Sequence, residues 1–235
     1  MQRNRAERGF SIALGLFACV LAIHLFVQSP FFIVKSVSVR GLQQLDESSI
    51  IAHSGIRSGV NIFDVDVAQA RQRLLKEPRL DTVRILRRWP ARIEIIVQER
   101  VPVAMLAAAD TLWLVDDKGV VLGNSTGEES LMVLTYPTAI SPVLGEALPP
   151  PALRAAAGLA GDLPVLLAVE MAEIRALAVD NLELITRNGV VIYFGSWSET
   201  KLKYAVLTTL FAQISANDTQ PTRIDVSRPE TPVVR

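Results

Sequence analysis

A chain of 235 residues with one cysteine, Cys19, can close no disulfide on itself, and the same shortage excludes a zinc site built on cysteines. Cysteine usage therefore does not fix the redox compartment. Histidine is almost as scarce, with His24 and His53 alone in the chain. Charge of one sign is missing too: 24 Lys plus Arg stand against 24 Asp plus Glu, the wrong balance for a chain whose main partner is nucleic acid. What is present is globular: half the residues are hydrophobic and 20% charged, far from the composition of a disordered chain. The length leaves room for one large domain or two small ones besides any short targeting segment.

Residues 10–27 contain no Asp, Glu, Lys or Arg. Eighteen residues in a helix span about 27 Å, close to the roughly 30 Å of a hydrocarbon core. Arg3, Arg5 and Arg8 precede them, opposed only by Glu7, and the positive-inside rule then keeps the N-terminus in the cytoplasm. The expectation is a cytoplasmic tail at 1–9, a transmembrane helix at 10–27 and everything after Gln28 outside the cytoplasm. A cleaved signal peptide has the same polarity but an apolar core of only about 7–15 residues. Leu16-Phe17-Ala18-Cys19 resembles a lipoprotein signal, yet Phe17 is bulky for it and the apolar run goes on to Val27. His24 lies near the outer end of the span, where an imidazole reaches the interface.

From 31 to 101 the signals run strand, helix, helix, strand, strand. Val37 and Val39 alternate with Ser36, Ser38 and Arg40 before Gly41, the pattern of a half-buried strand and its turn. A short helix is expected around 48–52 with Asp46 as cap, and His53 at its end reads as solvated. Asp66 with Gln69 resembles a capping box, and Val67, Ala70 and Leu74 recur on one helix face up to Pro78. Strands follow at 80–87 and 92–101, joined by Arg88-Trp89-Pro90-Ala91. Ile93, Ile95 and Val97 point to one face and Arg92, Glu94 and Gln98 to the other. The result is a three-stranded sheet with two helices over one side.

Residues 102–235 have a different texture. Strands are expected at 111–115, 120–122, 174–179, 182–186 and 190–194, with turn signals Asp117-Lys118-Gly119 and Arg187-Asn188-Gly189. Between them, 149–164 is rich in Pro and Ala and holds one helix. Ser196 with Glu199 suggests a capping box, followed by the apolar stripe Leu202, Val206, Leu210 and Ile214. Residues 222–226 and 232–235 are candidate final strands. Charge divides at the same boundary: 31–101 carries 12 basic and 8 acidic side chains, 102–235 carries 9 and 15.

Motifs that carry chemistry are incomplete. Gly123-Asn124-Ser125-Thr126-Gly127 matches a hydrolase nucleophile elbow, but no histidine follows Ser125. Ser198-Glu199-Thr200-Lys201 has the Ser-x-x-Lys spacing of penicillin-binding proteins without the companion motifs, and helix capping accounts for it. No catalytic residue, metal, cofactor or small-molecule substrate is expected. Arg84, Arg87, Arg88 and Arg92 around Trp89 could meet anionic lipid or an acidic partner, or form the solvated face of a strand pair.

Several motifs are familiar together. Phe32-Ile33-Val34 leads to Val37-Ser38-Val39-Arg40-Gly41, then come Gly59-Val60-Asn61-Ile62-Phe63, Arg88-Trp89-Pro90 and Val97-Gln98-Glu99-Arg100-Val101-Pro102-Val103-Ala104. Further on stand Leu114-Val115-Asp116, Gly119-Val120-Val121-Leu122, Lys201-Leu202 and Ile224-Asp225-Val226. In this order they resemble the FtsQ/DivIB family of bacterial cell-division proteins over almost the whole chain, residues 128–171 excepted. The resemblance implies an α+β chain: an N-terminal transmembrane helix, a POTRA domain (β-α-α-β-β) at 31–101, and a β-rich domain with helices at 102–235. It implies a non-enzymatic, single-pass scaffold of the bacterial inner membrane at the division site, with most of the chain periplasmic and the FtsB/FtsL pair as partner. The last strands would offer the edge: Thr222, Arg223, Ile224, Asp225, Val226, Pro232, Val233, Val234 and Arg235. Ser227-Arg228-Pro229 stands where some members carry Arg and aromatic residues, and proline on an edge must fall at a bend or at a position that need not donate. A POTRA-containing chaperone or secretion component of the envelope is the alternative.

Overall fold

The computed structural model describes residues 3–127, 130–216 and 221–235, with side chains from Leu14 onward. These divide into two compact units, Met1–Glu99 and Arg100–Arg235.

The first unit begins with helix α1 (Arg3–Val27), whose large apolar side chains from Leu14 to Phe26 are exposed. Among the described residues no helix is long and apolar enough to cross a membrane. The side chains of residues 10–13, part of the expected span, lie outside those described. After a single 3-10 turn (Pro30–Phe32) comes β1 (Ser36–Arg40), then α2 (Glu47–Ser54), α3 (Val67–Leu74), β2 (Leu80–Arg88) and β3 (Arg92–Glu99). The Asp46 carboxylate caps α2 by accepting from the Ser49 N–H at 2.9 Å, and Asp66 caps α3 by accepting from Gln69 at the same distance. Strand β3 lies between a parallel β1 and an antiparallel β2. Ile93, Ile95 and Val97 bury one face of β3 with Ile50, Ala70 and Leu74 from the helices.

Glu94 corrects the outward reading of the opposite face. It is only 5% exposed, because Arg40 Nε donates to one carboxylate oxygen at 2.8 Å and Arg88 Nη2 to the other at 2.6 Å. Two long guanidinium side chains fold over a carboxylate on a helix-free sheet face and cover it. Gly41 sits at φ 91°, and a Cβ there would collide with the Val97 carbonyl oxygen, so the turn after β1 demands glycine.

In the second unit β4 (Ala104–Ala108), β5 (Thr111–Val115), β6 (Val121–Asn124), β7 (Met132–Thr135), β8 (Met171–Ala178), β9 (Asn181–Thr186), β10 (Val191–Gly195), β11 (Arg223–Asp225) and β12 (Val233–Val234) form one nine-stranded sheet. Its order is β12-β11-β10-β9-β8-β7-β4-β5-β6. Helices α4 (Pro151–Asp162), α5 (Val165–Ala168) and α6 (Thr200–Ala216) complete the unit. The Ala-rich α4 packs Ala152, Leu153, Ala156 and Leu159 against Leu106, Leu134 and Ile174 in the main core. On the other face Met105, Leu114 and Leu122 form a smaller cluster, so β4 is buried on both sides.

Two sequence expectations about α6 are revised. Ser196 does not cap it: its hydroxyl pairs with Ser198 at 2.7 Å, and the helix opens on the Glu199 carbonyl, which accepts from Leu202 and Lys203. Glu199 reaches that position with φ 51°. Of the expected stripe, Val206, Leu210 and Ile214 pack half-buried against the main core and only Leu202 is exposed; the most deeply buried row is Lys203, Tyr204 and Leu207. Lys203 is buried because its ammonium donates to the carbonyls of Phe194 and Ser196, each at 2.9 Å, and lies 4.7 Å above the Phe194 ring. Burial pushes that ammonium below its ordinary range, against a smaller pull from Glu199.

Candidate interaction edge

Helix α6 carries the chain from β10 across to β11, which therefore pairs with β10 in parallel, Ile192 opposite Ile224. Ile224 and Val226 are fully buried and anchor β11 in the main core. The chain bends next, where the Asp225 carboxylate accepts from the Ser227 N–H at 2.9 Å and its hydroxyl at 2.7 Å. Pro229 falls in that bend and Pro232 just before β12.

Strand β12 returns antiparallel to β11, with Val234 opposite Ile224 and Val233 opposite Asp225. Arg235 exchanges both main-chain bonds with Arg223, at 3.0 and 2.9 Å, and its carbonyl also takes the Thr222 N–H at 2.8 Å. Antiparallel alternation then turns the N–H and C=O of Val234 away from β11, toward open space. Pro232 has the parity of Val234, so its missing donor subtracts nothing from the β11 ladder. The Val233 and Val234 side chains are 44% and 42% exposed, one on each face of the sheet. Beside them Arg223 stacks on Tyr193, 4.6 Å from its ring centroid, and donates to its hydroxyl at 2.5 Å.

Among the described residues, groups on the other sheet edges are engaged. At β6 the segment after Val143 runs alongside: Val121 donates to Glu146 and accepts from Gly145, and Leu148 donates to Gly119. In the three-stranded sheet the Val39 N–H of β1 is taken by the Glu47 carboxylate at 2.9 Å, and the Val83 carbonyl of β2 by Arg71 Nε at 3.0 Å. Sequence patterning did not reveal these covers, because a Glu eight residues from Val39 and an Arg twelve from Val83 carry no periodic signal.

The chemical motifs resolve into structure. Ser125 closes a turn after β6, its hydroxyl 3.3 Å from the Met105 sulfur and accepting from Gly127, and the next described element is strand β7 rather than the helix an elbow requires. His53 Nδ1 meets the Ser49 carbonyl at 2.8 Å on the surface of α2. Lys201 is exposed at the start of α6. Among the described residues no group of three or more His, Cys, Asp or Glu could hold a metal ion. In the basic hairpin Arg87 is committed to the fold, donating to the carbonyls of Ile62 at 2.9 Å and Val65 at 2.6 Å, whereas Arg84 and Arg92 stand exposed.

Known sequences bear on this architecture. The family described as POTRA domain, FtsQ-type, matches residues 32–100, and the one described as cell division protein FtsQ/DivIB, C-terminal, matches residues 104–227, ending between β11 and β12. The cell division protein FtsQ of Mycolicibacterium smegmatis is 29% identical over 226 residues, taking in 96% of this chain but only 61% of that protein. That of Streptomyces venezuelae is 28% identical over 98% of this chain and 84% of its own length. The cell division protein DivIB of Clostridium acetobutylicum is 29% identical over 44% of this chain and 41% of its own. A POTRA domain followed by the C-terminal β domain, in one chain and in this order, places the protein in the FtsQ/DivIB family of cell-division proteins.

Proposed function

We propose that the chain is a non-catalytic, single-pass scaffold of the bacterial division machinery. In this reading residues 1–9 lie in the cytoplasm, 10–27 span the inner membrane, and the POTRA domain at 31–101 and β domain at 102–235 lie outside it at the division site. It links early, cytoplasmic components to late, periplasmic ones. The charge-free run at 10–27 behind Arg3, Arg5 and Arg8 supports the anchor.

The observation that carries the scaffold role is the contrast among sheet edges. A flanking segment runs along β6 and side chains engage one edge group each on β1 and β2, while at β12 a main-chain donor and acceptor face outward between two exposed valines. An extended partner segment can add there, held by main-chain hydrogen bonds and selected by pockets on either face. The FtsB/FtsL pair is the partner we assign, through Pro232, Val233, Val234 and Arg235 of the edge strand; Thr222, Arg223, Ile224, Asp225 and Val226, expected to share that edge, lie inside the sheet and hold β12 in place. Strand capture by a POTRA chaperone fits less well, because Glu47 and Arg71 already bind edge groups of the POTRA sheet.

Co-purification from detergent-solubilised membranes tests the proposal. The full chain should bring down the FtsB/FtsL pair, and a chain ending at Thr231, which lacks β12 alone, should not. Absence of the pair from the full-chain sample would refute the scaffold reading; equal capture by both chains would refute the edge.

A further inference from the structure

The first unit ends, where α1 enters it, in a cluster of aromatic rings larger than its core needs. Phe32 is buried at the centre, with the rings of Phe26 at 5.1 Å, Phe31 at 5.3 Å, Phe63 at 5.2 Å and Trp89 at 6.0 Å. Phe63 and Trp89 also meet at 4.6 Å. Yet Phe31 is 59% exposed, Trp89 52% and Phe63 41%, so three large rings present apolar surface together. A contiguous patch of this kind marks an interaction site.

Its position argues for the occupant. Phe26 belongs to the last turns of α1, and Asn61 Nδ2 donates to the carbonyl of Val27 at 2.7 Å, tying the loop that carries Phe63 to the helix end. The exposed apolar surface of α1 thus continues into the rings of Phe31, Phe63 and Trp89. Trp and Phe at the end of an apolar helix suit the boundary between hydrocarbon and headgroups.

Charge beside the rings is complementary to phosphate. Arg88 and Arg92 pair across the strands at the first position after the Trp89 turn. With Arg40 and Arg84 they occupy the helix-free face of the sheet, where Glu94 is the one acid and is already shared by Arg40 and Arg88. Arg92 is exposed, and the face keeps a surplus of positive charge.

We infer that this tip docks on the bilayer surface, with Trp89, Phe31 and Phe63 in the interfacial layer and Arg88 and Arg92 on lipid phosphates. The inference rests on the reading of residues 10–27 as a membrane span. It would fix the POTRA domain against the membrane and orient its basic face, beyond merely tethering it.

The test uses the full chain reconstituted in vesicles of phosphatidylethanolamine and phosphatidylglycerol, with and without bromine on the acyl chains near the headgroup. Bromolipid should quench part of the tryptophan emission, and W89F, which retains two of the three tryptophans, should lose that quenching while still floating with the vesicles. R88Q/R92Q should float equally and show reduced quenching. If W89F alters the melting curve, the single-tryptophan chain W113F/W197F gives the reading directly. A floating chain whose Trp89 is unaffected by bromolipid overturns the docking alone, and R88Q/R92Q with quenching unchanged overturns the part given to the arginines. A chain that does not float overturns the span and the docking with it.

Discussion

At the scale of single residues, charge settled in places that polarity alone would not select. Glu94 alternates with buried isoleucines and reads as outward, which it is by direction; two arginines then bury it. Lys203 lies buried beside the apolar stripe of α6, because two carbonyls at the end of β10 take its ammonium. Neither partner set is adjacent in sequence, so neither was legible. Glu99, by contrast, sits in a motif that carried the resemblance, and its role is visible only in three dimensions: its carboxylate accepts from the N–H groups of Gln43, Gln44 and Leu45 at 2.7–3.2 Å. Burial pushes this carboxyl up, but those bonds, with Arg79 nearby, outweigh it and hold it below the usual range. The folded form therefore takes up a proton less readily than the unfolded chain. Its stabilisation is complete above the ordinary carboxylate range and disappears as pH falls through the lowered value. E99Q should cost about 2 kcal/mol near neutral pH in chemical denaturation, from charge-assisted bonds lost. The gap between E99Q and wild type should narrow as pH falls through the lowered value, and a gap independent of pH would contradict this role.

At the scale of elements, the POTRA domain was the readable part. Its strands alternate, its helices carry Asp caps, and Gly41 marks a turn that only glycine fits. In the β domain β4 escaped notice because Ala104-Met105-Leu106-Ala107-Ala108 has no β-branched residue and no alternation, being buried on both faces. Strand β7 lies in the stretch without motifs, and its pairing with β4 and β8 is set by partners far away in sequence. The last two strands were placed by sequence, but not their unequal parts: β11 belongs to the core through Ile224 and Val226, and β12 lies over its edge. A chain ending at Thr222 should lose cooperative thermal unfolding of the β domain, since two fully buried side chains go with the cut, each worth about 2–5 kcal/mol. A chain ending at Thr231 should retain it. Loss of folding in both would show β12 to be a structural strand.

At the scale of the whole molecule, the account makes the two units different devices on one anchor, with opposite charge balances on residues 31–101 and 102–235. Protease added to intact spheroplasts should degrade an epitope at the C-terminus and spare one at the N-terminus; the reverse pattern would invert the topology. The central claim remains that an outward-facing main-chain edge captures a partner. V234P tests it most directly, because that substitution removes a donor which β11 does not use and leaves the β11–β12 bonds in place. The account predicts that the full-length V234P chain melts like wild type and captures the FtsB/FtsL pair at least tenfold less in co-purification, about 1.4 kcal/mol or more. Capture at the wild-type level by V234P would contradict it.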